Sequence, residues 1–304
     1  MPSSQLEDVR ALLRAVPLDF GAPISRTRAI FHAMISARPL PADVRIKDLS
    51  LGGVPTVEVH VEAEAPPGAV GSLLFLHGGA YAAGSARDSV GFVADIVRRT
   101  GMPAFNVDYR FAPEHPYPAA VDDALAAYRA LLDLGTPASS LALVGESAGG
   151  GLTVALLLRI RDEGLPMPAA AAVLSPWADL SQTGASMHGK SAADPLLTPD
   201  AVRIRAESYL AGTDPRTPYA SPVFADLRGL PPLLIQVGSY EILLDDAVRL
   251  AARAAADDVA VTLETYPGAP HVFQGFSAVL DEAARALDRV ASFLCQDRGA
   301  PGGR

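Results

Sequence analysis

The sequence predicts an α/β protein: a single domain on a mostly parallel sheet, helices on both faces, and an antiparallel hairpin at one edge. Three observations lead there. Hydrophobic residues make up 49% of the 304 and charged residues 19%, which supports a large core and argues against disorder. From residue 72 onward, short apolar runs alternate with helical stretches, the pattern of buried strands joined by helical crossovers. Around Gly52-Gly53 the hydrophobic period is instead two, which marks a hairpin.

The first 40 residues read as two short amphipathic helices. Ser3 or Ser4 can cap the first, which presents Leu6, Val9 and Leu13 on one face and ends before Pro17. Ile30, Phe31, Met34 and Ile35 mark the second, which ends near Pro39. The hairpin strands follow at 44–51 and 54–63, and Pro66-Pro67-Gly68 makes a turn. Strands are then expected at 72–77, 103–109, 141–145, 170–175, 232–238 and 261–266. With the hairpin this gives eight. Helices are expected near 86–99, 119–133, directly after residue 147, near 243–255 and near 279–294. Residues 177–225, rich in Pro, Ser, Asp and Thr, form a long irregular insertion with a helix near 199–211. The segments 1–40 and 177–225 stand outside the strand–helix alternation and can pack together as a lid over the strand ends.

Charge and cysteine content narrow the function. Lys and Arg number 25 against 34 acidic residues, a net charge of −9, and there is no basic run, so neither nucleic acid nor an anionic membrane is an expected partner. The start of the chain lacks a basic segment followed by an apolar run, and no stretch of about 20 apolar residues suggests a membrane span. The single cysteine, Cys295, excludes an intramolecular disulfide and fits a cytoplasmic setting. It reads as an apolar residue on a helix face.

The stretch LALVGESAGGGLTVALLL, 141–158, carries the chemistry. Gly149, Gly150 and Gly151 open a helix, although each glycine costs about 1 kcal/mol there relative to alanine. Just before them, Ser147 sits in G-x-S-x-G, with an apolar strand leading in and a helix leading out. That context is a nucleophile elbow, a sharp turn that lifts the hydroxyl above the sheet edge. Small residues let neighbouring backbone come close.

A serine hydroxyl needs a base. Of the six histidines, His271 follows the last strand and a turn, on the same sheet edge as Ser147. His32 on the N-terminal helix and His60 on the hairpin read as structural or exposed. An acid must hold the imidazole. The candidates are Glu241, Asp245 and Asp246: Asp245 and Asp246 read as a turn into the helix, and Glu241, three residues beyond the strand that ends at Gly238, is favoured over Asp245. The order Ser, acid, His is that of α/β-hydrolases. A site for the oxyanion is expected in the loop at 77–81, where Gly78 and Gly79 let backbone N–H groups approach. Asp194 reads as a turn or helix-entry residue.

The segments HGGAY, VDYRFAPEHPYPAAVDD, GESAGG, SPWADLS, DPLLTP, GSYEILLDD and PHVF occur in this order over about residues 70–290. In them the chain resembles the bacterial hormone-sensitive-lipase-like (family IV) carboxylesterases of the α/β-hydrolase superfamily. The resemblance implies Ser147 as nucleophile, His271 as base and an acid at Glu241, with oxyanion donors on Gly79, Ala80 and Ala148 and Gly78 shaping their loop. It also implies a cap built from 1–40 and 177–225. Two features depart from the family pattern: Ala80 replaces the third loop glycine, and the acid is Glu where many relatives carry Asp, which keeps Asp245 open as the alternative. Tyr81 and Trp177 are candidates for the substrate pocket. The implied activity is hydrolysis of short-chain acyl esters or small lactones, without metal or cofactor. An amidase or N-deacetylase on the same residues is the alternative, and a non-catalytic ligand-binding homologue is a third reading. A homodimer stays open.

Overall fold

The computed structural model describes residues 3–37, 40–62 and 71–296. The expected punctuation at Pro39 and turn at Pro66-Pro67-Gly68 lie outside them. The chain opens with helices α1 (Ser4–Ala15) and α2 (Ile24–Ile35), then strands β1 (Val44–Leu51), β2 (Val54–Val61) and β3 (Ser72–Leu76). Next come α3 (Val90–Thr100), β4 (Ala104–Val107), α4 (Ala119–Asp133), β5 (Leu141–Glu146), α5 (Ala148–Asp162) and β6 (Ala170–Leu174). The remaining elements are α6 (Ser186–Gly189), α7 (Pro199–Leu210), β7 (Leu233–Gly238), α8 (Leu244–Ala256), β8 (Val261–Tyr266) and α9 (Asp281–Leu294).

The eight strands form one sheet in the order β1-β2-β4-β3-β5-β6-β7-β8. From β4 to β8 every pairing is parallel, while β1 pairs antiparallel with β2 and β2 with β4. The hairpin at the edge is therefore as the period-two pattern predicts. Its turn, Gly52-Gly53, has φ of 59° and 86°, a left-handed pair that glycine adopts without strain.

Strand residues alternate between two cores. Leu74, Leu76, Leu143 and Ile235 pack against α4, α5 and α8. Leu73, Phe75, Val144 and Leu234 pack with α3 and α9. Helices thus cover both faces, which is why the inner strands are apolar throughout. Helix α1, capped by the Ser3 hydroxyl, which accepts the Leu6 N–H, buries Leu6, Val9 and Leu13 in a third cluster with Phe273, Leu280 and α9. No helix among the described residues is long and apolar enough to cross a membrane.

Strand ends match expectation to within two residues; β1 and β8 coincide with it, and β4 is 104–107 within the expected 103–109. The four-residue α6 escapes a periodicity argument because it is barely one turn long. The result that matters for function is common direction. The residues after β3, β5, β7 and β8 all emerge at the carboxyl edge of the sheet, where open α/β folds place their sites.

Candidate active site

Ser147 lies between the last residue of β5 and the first of α5, with φ 56° and ψ −124°. A positive φ is strained for a side-chain-bearing residue and needs support from its surroundings. That support is visible: its N–H donates to Leu174 O at 2.9 Å, and its carbonyl accepts from Trp177 N–H at 2.9 Å and from the Gly150 and Gly151 N–H groups. The glycines that weaken the helix start are what let it dock. A Cβ at Gly149 would sit 2.0 Å from Leu76 O, and one at Gly151 would sit 2.0 Å from Trp177 O. Any side chain at either position would push α5 away from β3 and from the segment after β6.

The imidazole of His271 reaches Ser147. Its Nε2 is 2.9 Å from Ser147 Oγ, and its Nδ1 is 2.8 Å from Glu241 Oε2. Both His271 and Glu241 are buried, the latter completely. The other Glu241 oxygen accepts from Gly238 N–H at 2.5 Å and from Ser175 Oγ–H at 2.7 Å. Burial alone pulls the His271 pKa down, but the Glu241 carboxylate outweighs it, helped by Asp194 and Glu146, and the imidazole ends above its ordinary value. Burial pushes Glu241 upward, against the pull of His271, Ser175 and Gly238.

Asp245 is engaged elsewhere. Its carboxylate accepts Ser186 N–H at 2.9 Å, so Glu241 alone of the two faces His271. Asp194 behaves as a turn residue: one oxygen accepts the Leu196 and Leu197 N–H groups, and the other accepts Ile242 N–H, all at 2.9 Å.

The loop after β3 has Gly79 at φ 118° and Ala80 and Tyr81 at φ 56°. Tyr109 Oη–H donates to His77 O at 2.6 Å, and His77 Nδ1–H donates to Gly78 O at 2.7 Å. The N–H groups of Gly79, Ala80 and Ala148 have no acceptor among the described residues, whereas Gly78 N–H is held by Glu146 Oε1 at 2.5 Å. Gly78 therefore shapes the loop and is not a free donor, for the plain reason that its hydrogen bond is already made.

These groups open on a cavity of about 720 Å³, within the usual range of small-molecule sites. Ser147, His271, Ala80 and Trp177 form its floor, with Phe31 of α2 and Val202 of α7 among its apolar walls. Tyr81 does not line it; its ring stacks on Tyr209 at 3.9 Å and tilts against Trp177 at 6.0 Å, so core packing takes the ring up. Among the described residues no three His, Cys, Asp or Glu side chains converge to hold a metal ion.

Two residues of this site are not singled out by sequence reasoning. Ser175, at φ 48°, joins Glu241 to the His271 loop by also accepting Val272 N–H at 3.1 Å; its only signal is a polar residue closing an apolar strand. Glu146 is the variable position of G-x-S-x-G, and only the β3–β5 pairing shows what it touches.

Comparison with known proteins agrees with this fold. The model of a family described as alpha/beta hydrolase fold matches residues 73–275. An acetyl-hydrolase of Streptomyces hygroscopicus is 48% identical over 223 residues, covering 73% of this chain and 75% of the relative. An esterase of Acinetobacter venetianus is 37% identical, covering 88% of this chain and 87% of the relative. Among solved structures, an esterase from the bacterial hormone-sensitive lipase family superposes with a TM-score of 0.91 at 41% identity, covering 98% of this chain and 100% of the other.

Proposed function

The chain belongs to the hormone-sensitive-lipase-like branch of the α/β-hydrolase family, and from that membership we propose that it is a carboxylesterase working through an acyl-enzyme on Ser147. The observation that carries the reading is the unbroken contact from Ser147 Oγ through His271 to Glu241, at 2.9 and 2.8 Å.

In this reading Ser147 Oγ attacks the acyl carbon while His271 Nε2 takes its proton. Glu241 holds Nδ1–H, fixes the tautomer and steadies the imidazolium. Negative charge forming on the carbonyl oxygen meets the N–H groups of Gly79, Ala80 and Ala148. The imidazolium returns its proton to the departing alcohol. Water, deprotonated by the same imidazole, then attacks the acyl-enzyme; the Oγ–acyl bond breaks, Ser147 Oγ takes the proton back from the imidazolium, and the acid leaves. Residues 1–40 and 177–225 serve as a cap. Supporting this, the α7 residue Arg205 donates to the carbonyls of Phe20 and Ala22, and both segments line the cavity. The name of one relative, acetyl-hydrolase, favours esters with short acyl groups as substrates, and that of another, esterase, favours esters in general.

A fluorophosphonate probe should label the wild-type chain at Ser147 and leave Ser147→Ala unlabelled. Turnover of p-nitrophenyl esters should be fastest at short acyl length, and an acetate ester should outpace the matched acetamide. Wild-type labelling or turnover by Ser147→Ala would remove the proposal.

A further inference from the structure

We propose that Glu146 is a positioning residue for the oxyanion site: its carboxylate anchors the loop that carries the Gly79 and Ala80 N–H groups. The inference rests on the esterase reading above and adds a part to it.

Glu146 is the last residue of β5 and directly precedes Ser147. Its Oε1 accepts Gly78 N–H at 2.5 Å. The approach is so close that a Cβ on Gly78 would lie 2.3 Å from Oε2 and 2.7 Å from Oε1, so the carboxylate lies flat against that α-carbon. The left-handed turn begins one residue further on, at Gly79, and its strained, side-chain-bearing residues are Ala80 and Tyr81, both at φ 56°. The Gly79 and Ala80 N–H groups have no acceptor among the described residues, while the carbonyls of the same two peptides are held, Gly78 O by His77 Nδ1–H at 2.7 Å and Gly79 O by the Ala82 and Ala83 N–H groups at 3.0 Å; Gly78 N–H is the remaining point of attachment, and Glu146 holds it. Strained backbone persists only where its surroundings over-determine it, and Glu146 supplies that constraint at the loop's entry. One dipeptide, Glu146-Ser147, thereby places the nucleophile and aligns the donors that stabilise the charge the nucleophile creates.

The carboxylate has no Arg or Lys partner among the described residues. Burial pushes its pKa up, while Gly78 N–H and His271 pull it back. The titratable groups facing it are His271 and the Tyr109 phenol; those facing His271 are Glu241, Asp194 and Glu146. Glu146 lines the cavity with Ser147 and His271, so its charge also bears on the imidazolium.

The test compares wild type, Glu146→Ala, Glu146→Gln and Ser147→Ala on p-nitrophenyl acetate, with kcat and KM measured across pH. Removing an oxyanion donor typically costs about 10²-fold or more in kcat, and Glu146→Ala is expected to lose about that much with KM within about threefold. Glu146→Gln keeps an acceptor for Gly78 N–H and should recover most of kcat. Because it removes a negative charge facing His271, the acid limb of kcat/KM should move to lower pH. A Glu146→Ala variant within about twofold of wild type, or one whose loss lies in KM, overturns the anchor. Should Glu146→Ala fail to fold, the similarly sized Glu146→Met, which has no strong acceptor for Gly78 N–H, takes its place, and a wild-type kcat in that variant overturns the anchor equally. Ser147→Ala separates this from the parent reading: activity there removes the esterase proposal itself, whereas an inert Ser147→Ala beside a wild-type-like Glu146→Ala removes only the anchor.

Discussion

Glu241 and Asp246 stand five residues apart on one segment, both as completely buried carboxylates, yet their surroundings differ in every respect that matters for chemistry. Glu241 has both oxygens engaged: Gly238 N–H and Ser175 Oγ–H on one, His271 Nδ1 on the other. Asp246 uses one oxygen to accept the Ala178 and Asp179 N–H groups at 2.9 and 2.8 Å, and its other oxygen has no hydrogen-bond partner among the described residues. Its charged neighbours are Asp179, which repels it, and Arg249, which is already bound to Asp179 at 2.6 Å. Burial, then the nearby Asp179, push Asp246 up to about 8. Burial acts on both residues. What separates them is the imidazole: in the proposed mechanism the buried acid facing a base that opens on a cavity serves the reaction, while the buried acid facing backbone N–H groups pins a loop, here the segment leading out of β6. Up to about pH 8 the buried Asp246 keeps its proton, and that retention costs stability wherever the unfolded chain would release it.

The sharpest way to break this contrast is Glu241→Gln. The side chain keeps its shape but loses the charge that steadies the imidazolium. By analogy with the acid of a Ser-His-Asp triad, kcat should fall by about 10³- to 10⁴-fold, with labelling by a fluorophosphonate slowed in parallel. A loss of under tenfold would mean that Glu241 is no more functional than Asp246. In the wild type the raised pKa of His271 has a consequence of definite sign. The base works only when neutral, so kcat/KM should fall as pH drops through a value above the ordinary histidine pKa of about 6.5. A pH profile checks this.

Which of these residues could be read from the sequence follows from how each is placed. Ser147, Glu241 and His271 are legible because each sits at a fixed, short distance beyond an apolar strand, and parallel strands bring their carboxyl ends to one edge. Gly78, Gly79 and Ala80 are legible for the same reason. Ser175 and Glu146 are not, because their roles are contacts between strands: Ser175 across β6 and β7, Glu146 across β5 and β3. Strand order and register decide such contacts, and periodicity carries neither. Tyr81 shows the converse. Its place in the loop suggests the pocket, but stacking on Tyr209, far along the chain, takes the ring into the core.

A middle-sized effect is expected at Ser175, which connects the two halves of the comparison by holding Glu241 from the strand next to it. Ser175→Ala removes one hydrogen bond to a buried carboxylate and one acceptor for Val272 N–H. Leaving such a group unsatisfied costs about 1–3 kcal/mol. If about half of that appears in the transition state, kcat falls by about two- to tenfold while KM barely changes. A wild-type kcat would show that Gly238 N–H suffices to hold the carboxylate.

The smallest effect on turnover belongs to Asp246→Asn, and its signature lies in stability. Below the ordinary carboxyl range, near 3.9, folded and unfolded chains both hold the proton. Between there and about 8 the unfolded chain loses it while the folded chain keeps it. The folded state therefore binds more protons, and stability falls as pH rises through that window before levelling off. Asparagine does not titrate, and its carbonyl oxygen can still accept the Ala178 and Asp179 N–H groups. Asp246→Asn should thus match wild type near pH 4 and gain on it up to about pH 8, by on the order of a few kcal/mol, while kcat stays within about twofold. Denaturant unfolding at the two pH values measures the difference. An advantage independent of pH would show that Asp246 is ionised in the folded chain and that the two buried acids are more alike than their partners imply.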